Sequence, residues 1–202
     1  LEPDTKDLTS LQGEIPKRIL ALLPGSRKSE IKKMSKVLFN FARKIESENK
    51  GYSFVMPLSQ RKHAKLLDLP KDLDIEISYE NSQEILKIAE YGIITSGTAS
   101  LEALLLDTPS VVIYKTNWLT YKIIKPMLKA NYFSLPNLLN NEELLPELLQ
   151  NEVTVQNIYK SFKNIEEKGL DFYLDKFQEI RDKLKANGRD SAAKILYRYL
   201  VD

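Results

Sequence analysis

Short apolar runs alternate with amphipathic stretches over the first half of the chain. Runs at 18–23, 53–57, 74–78, 91–95 and 110–114 are rich in Ile, Val, Leu and Tyr, and each is bounded by Pro, Gly, Ser or charge. Such runs predict buried β-strands. Between them, apolar residues recur at helical spacing over 28–48, 60–68, 82–90 and 98–106. Strand and helix in strict alternation predict βαβ units, hence an α/β fold with a Rossmann-like parallel sheet and helices on both faces. After residue 115 the pattern becomes helical throughout, at about 117–129, 142–150, 155–167, 170–186 and 189–200. Residues 1–17 are polar, with scattered turn formers, and read as a linker.

Two turns in this pattern carry candidate chemistry, because ligands of doubly wound sheets bind where strands lead into helices. The first is Pro24-Gly25-Ser26-Arg27, between the run ending at Leu23 and the helix starting near Lys28. Gly25 lets backbone approach a ligand, and Ser26 is a candidate helix cap. Arg27 offers a fork of donors to an oxyanion beside the positive end of a helix dipole. The plainer alternative is an ordinary strand-to-helix turn. The second turn is Thr95-Ser96-Gly97-Thr98-Ala99-Ser100-Leu101-Glu102. Its small residues expose N–H groups at a helix start, and Ser96 and Thr98 add hydroxyls. Glu102, on the same helical face as Thr98, suits the two hydroxyls of a ribose or merely complements the dipole.

Composition narrows the partners. The 202 residues are 43% hydrophobic, enough for a full core, in one large domain or two small ones. Lys plus Arg total 30 against 28 Asp plus Glu, for a net charge of +2, so no global field favours nucleic acid. There is no cysteine, hence no disulfide or thiolate chemistry. No apolar run nears the ~20 residues that span a bilayer. Leu1 is not a natural start, which points to a piece of a longer protein. Asp72-Leu73-Asp74 has the Asp-x-Asp spacing of metal-dependent glycosyl transfer, but it precedes a strand amid charge and reads as a solvated turn. His63, the one histidine, falls in a basic stretch read as a surface helix without a carboxylate partner.

Residues 114–129 combine Trp118, Tyr121 and several lysines. At about 100° per residue, Lys115, Lys122, Lys125 and Lys129 share a stripe roughly 80° wide, with Trp118 among them. That composition suits a helix lying in anionic headgroups, with Trp118, Tyr121, Lys122, Lys125 and Lys129 as membrane or acyl contacts. A core-facing helix with snorkelling lysines, interrupted by Pro126, is the alternative. The later aromatics Phe172, Tyr173, Phe177, Tyr197 and Tyr199 read as packing residues.

Leu-Leu-Pro-Gly-Ser-Arg (22–27), Ser-Gly-Thr-Ala-Ser-Leu-Glu (96–102) and Ser-Leu-Pro-Asn-Leu-Leu (134–139) together resemble the lipid-A-disaccharide synthases, in the same order and at similar separations. The resemblance runs from about residue 18 to the end. It implies the second, donor-binding half of an inverting glycosyltransferase of the GT-B type, with two Rossmann-like domains. Residues 18–167 would be the UDP-sugar-binding domain, and 168–202 C-terminal helices packing on it or reaching to a missing N-terminal domain. By resemblance, Arg27 is the catalytic residue, binding the diphosphate and stabilising departing UDP. Gly25, Ser26, Ser96, Gly97 and Thr98 would line the phosphates and Glu102 would hold the ribose. Asn137 would help place the donor, and backbone around 77–79 would read the uracil. The implied reaction transfers 2,3-diacylglucosamine from UDP to 2,3-diacylglucosamine 1-phosphate with no metal or other cofactor, the general base lying outside this chain. It also implies a cytoplasmic location, peripheral at the inner face of the inner membrane, and a homo-oligomer would cover apolar surface orphaned by a missing domain. A non-hydrolysing UDP-sugar epimerase shares the two-loop layout, and a non-catalytic membrane-surface module shares the fold.

Overall fold

The computed structural model describes residues 18–48, 51–115 and 132–186. The chain runs β1 (Arg18–Leu23), α1 (Lys28–Glu46), β2 (Tyr52–Leu58), β3 (Ile75–Tyr79), α2 (Ser82–Ile88), β4 (Tyr91–Thr95), α3 (Thr98–Leu105) and β5 (Ser110–Tyr114). It continues with α4 (Leu135–Asn140), β6 (Glu147–Leu149), α5 (Val155–Lys168) and α6 (Leu170–Ala186). Short 3-10 turns occupy Arg61–Leu66 and Gln150–Glu152. All strands are parallel, in the order β3-β2-β1-β4-β5-β6.

Period-two alternation assigns the strand faces. Leu20 and Leu22 of β1, Phe54, Met56 and Leu58 of β2, and Tyr91 and Ile93 of β4 join one core with Met34, Leu38 and Phe41 of α1. Phe162 of α5 and Tyr173 and Phe177 of α6 complete it. The intervening Ala21, Leu23, Val55 and Ile94 face a smaller core with Ile85 and Leu86 of α2 and Ala103 of α3. Helices therefore cover both faces, as the alternation predicts. Phe162 meets Phe41, Tyr52 and Tyr91 edge-on, with centroids 5.5–5.8 Å apart. At the amino edge of the sheet, the Arg18 guanidinium lies 4.3 Å from the Tyr52 ring centroid and forks onto Glu90 at 2.7 Å. Tyr52 donates to Glu166 of α5 at 2.8 Å. These contacts fasten α5 at the edge opposite the candidate loops.

Three expectations change. The helix expected at 142–150 is instead β6 followed by a 3-10 turn, because Glu147–Leu149 pair with Val112–Tyr114 of β5 and Pro146 disfavours a helix there. Residues 135–140, which carry no strong periodicity, form α4 with Pro136 in its first turn. The stretch expected as a helix at 60–68 is a 3-10 turn, and His63 within it is buried, its Nδ1 3.2 Å from Ser59 Oγ, so the surface placement is corrected. The expected helices at 117–129 and 189–200 and the linker at 1–17 lie outside the described residues, as do Trp118, Tyr121, Lys122, Lys125 and Lys129.

Candidate functional site

The strand order reverses direction at β1. One crossover carries the chain outward to β2, and the later strands begin on the other side at β4. That switch opens a crevice at the carboxyl ends of β1 and β4. Leu23 pairs in register with Ile94, so Pro24–Arg27 and Ser96–Thr98 leave the sheet side by side. Two turns some 70 positions apart in sequence become one site.

The first turn is closed on an internal carboxylate. Gly25 has φ +95°, a conformation that favours glycine. Glu30 Oε2 accepts the N–H groups of Ser26 at 3.2 Å and Arg27 at 3.1 Å, and Oε1 lies 3.2 Å from Arg27 Nη1. The cap position falls on Arg27 and not on Ser26, because α1 begins at Lys28 and Glu30 supplies the capping acceptor from its third residue. The expected oxyanion-directed N–H groups do converge, but on Glu30. The Arg27 side chain is 75% exposed.

The second turn differs. Ser96 donates its N–H to Ile113 O at 2.8 Å, which ties the turn to β5. Gly97 caps α3 with φ 157° and ψ −159°, a backbone region confined almost wholly to glycine. Ser100 folds back, donating Oγ to Gly97 O at 2.8 Å. Gly97 and Thr98 are exposed, and the first turn of α3 contains no acidic residue. Its positive end is therefore uncompensated from within the helix. Thr95, the last residue of β4 and the first of the turn sequence, is buried with its Oγ1 unpartnered among the described residues. Ser78 Oγ at the end of β3, Asn81 Oδ1 before α2 and Gln150 Nε2 after β6 share that condition, all at the carboxyl edge. Their signal is a polar residue closing an apolar strand, as in Ser78 and Thr95.

Glu102, one turn into α3, accepts from Gln83 Nε2 of α2 at 3.4 Å. Gln83 was not anticipated. Tyr79 sits under the Arg61 guanidinium, 4.9 Å from its ring centroid, so the phenol anchors the loop around the end of β3. Among the described residues β3 is an edge strand, with no strand paired to the outer side of its 77–79 backbone.

Asn137 does not face the crevice with a spare amide. It is fully buried; Nδ2 donates to Leu145 O and to Glu147 Oε1, both at 2.7 Å. Its Oδ1 accepts from Leu144 N at 2.9 Å and Leu145 N at 2.8 Å. Glu147 also receives Phe133 N at 2.9 Å and, from Ser134, N at 3.0 Å and Oγ at 2.5 Å. The Ser134–Asn137 motif is thus a clasp on Glu147 and the turn before β6. Asp72 is gripped by Arg43 through two bonds of 2.8 Å, and that guanidinium holds its carboxyl below the usual range. Among the described residues no three His, Cys, Asp or Glu side chains gather as a metal site.

Such a doubly wound domain, with glycine turns at the switch point, is one half of the GT-B glycosyltransferase architecture. The solved glycosyltransferase of kitacinnamycin superposes with a TM-score of 0.57 at 12% identity, covering 97% of this chain and 47% of that one. Trehalose-6-phosphate synthase OtsA gives 0.56 at 9% identity, covering 98% of this chain and 47% of that one. At these identities the likeness is one of fold. Sequence specifies the family: the family model for lipid-A-disaccharide synthetase matches residues 2–196. The lipid-A-disaccharide synthase of Idiomarina loihiensis is 36% identical over 186 residues, 90% of this chain and 49% of that protein. That of Colwellia psychrerythraea is 34% identical over 183 residues, 88% of this chain and 47% of that protein. The chain belongs to the lipid-A-disaccharide synthase family, and it spans about half the length of the curated relatives it matches.

Proposed function

We propose that this chain is the donor-nucleotide-binding half of an inverting hexosyltransferase of lipid A biosynthesis. The whole enzyme transfers 2,3-diacylglucosamine from UDP to 2,3-diacylglucosamine 1-phosphate and releases UDP. The observation that carries the reading is the meeting of the two glycine turns at the ends of β1 and β4. Glycosyl transfer needs stabilisation of charge developing on the leaving diphosphate. Arg27 supplies a fixed cation, and the start of α3 supplies oriented N–H groups, so no metal is required. Glu102 accepts from the ribose hydroxyls. Asn137 acts from behind, by shaping the 132–147 segment. The general base belongs to the other half of the enzyme, and the acylated substrates place the reaction at the inner face of the bacterial inner membrane. Among the described residues no helix is long and apolar enough to cross a membrane.

Calorimetric titration of UDP into the chain tests this reading. Arg27→Ala and Glu102→Ala each remove a charged hydrogen-bonding partner, worth about 1.5–3 kcal/mol, so each weakens binding roughly tenfold or more. UDP binding indifferent to both substitutions would refute the site. Transferase turnover by this chain alone would refute the placement of the base.

A further inference from the structure

The two helix starts that meet at the crevice carry opposite endowments. α1 has Glu30 in its first turn, and α3 has no acid in its own. The Glu30 carboxylate occupies the spot where a phosphate oxygen would meet the Ser26 and Arg27 N–H groups. It is built in: its side chain is 13% exposed, and a Cβ at Gly25 would lie 2.6 Å from Oε2 and 2.9 Å from Glu30 Cβ. A diphosphate arriving at those same N–H groups would set two anions at one place.

We infer that Glu30 is the positioning residue of the site: it takes the α1 donors for itself and holds one edge of Arg27, directing the donor diphosphate to Arg27's other edge and to the start of α3. The inference rests on the reading of the chain as the UDP-binding half. A guanidinium carries five N–H donors in a rigid fork. Nη1 faces Glu30, which leaves the remaining edge of a largely exposed side chain for an anion. An arginine already paired on one edge loses less rotamer freedom on binding than a free one. Thr95 Oγ1, buried and without a partner among the described residues, stands at the end of β4, where the turn into α3 begins. Thr95 shares the strand face of Tyr91 and Ile93, the face that α1 covers.

Glu30→Gln separates the two tasks. The amide oxygen still accepts from the Ser26 and Arg27 N–H groups, but its NH2 cannot accept from Arg27. The test titrates UDP and uridine into the parent chain, Glu30→Gln, Arg27→Ala and the double variant, with thermal midpoints as a folding control. Glu30→Gln is expected to weaken UDP by about two- to fivefold, to leave uridine unchanged, and to add nothing once Arg27 is alanine. Glu30→Asp, with its charge on a shorter arm, should recover part of the loss and serves also if the Gln variant fails to fold. Tighter UDP binding by Glu30→Gln would show that the carboxylate competes with phosphate and would overturn the inference. So would an unchanged affinity, or an effect that persists in full beside Arg27→Ala. No UDP binding by the parent would overturn the nucleotide reading first, and this inference with it.

Discussion

Asn137→Ala removes four hydrogen bonds from the interior in one step. Two of them, Leu144 N–H and Leu145 N–H to Oδ1, leave buried donors with no other acceptor among the described residues. Each stranded buried donor costs about 1–3 kcal/mol. Leu145 O also loses its side-chain donor, while Glu147 Oε1 keeps both Ser134 contacts. The sum is about 3–5 kcal/mol, a large part of the 5–15 kcal/mol typical of a whole domain. Urea unfolding followed by circular dichroism should show a midpoint lower by about 1.5–2.5 M, taking a slope near 2 kcal/mol/M that does not change. Asn137→Asp refines the test. It keeps the acceptor, but sets a second carboxylate where Nδ2 lies 2.7 Å from Glu147. Two such carboxyls cannot both ionise, so their joint folded titration is raised. Stability is then retained below the unfolded carboxyl range and lost as pH rises, so the variant should be more stable at pH 4 than at pH 7 relative to the parent. A loss below about 1 kcal/mol for Asn137→Ala would refute the clasp. Full stability with lost UDP binding would mean that the amide reaches the ligand after all.

Two further outcomes follow from geometry already described. Burial, and then the bond to Glu166, raise the Tyr52 hydroxyl well above its ordinary pKa, and burial pushes Tyr173 up to about 12. A raised folded pKa leaves stability intact below about pH 10 and removes it above, where the unfolded phenols ionise first; urea midpoints should therefore fall more steeply above pH 10 in the parent than in Tyr52→Phe, which itself loses about 1.5 kcal/mol at pH 8. Gly97→Ala meets no neighbouring atom, but φ 157° with ψ −159° is strained for any side chain. It should cost about 1–3 kcal/mol in thermal unfolding and weaken UDP in calorimetry, whereas wild-type values in both would show that the turn does not need its glycine.

The sequence by itself determined the first five strands and most helices, since burial on both faces writes continuous apolar runs and a half-covered helix writes a 3.6-residue period. β1, β4 and β5 are legible residue for residue at 18–23, 91–95 and 110–114. The two turns were legible as well, because glycine and small hydroxyl residues between a strand and a helix are a local signal. Strand pairing is not local. Leu148 and Leu149 lie in a stretch that resembles a helix, and only the open edge of β5 makes them a strand. Likewise, nothing near Arg27 says that β4 will be its neighbour; the switch at β1 decides that. Glu30 lies between these cases. An acidic residue in the first turn of a predicted helix is visible in sequence, but the contact of Glu30 with Gly25 and Arg27 depends on how the turn folds over it. Asn137 reads as a polar residue free for a ligand until the fold closes 144–147 around its amide. Hydrogen-bonding capacity is written in the residue type, but which partner uses it depends on what the fold brings within 3 Å.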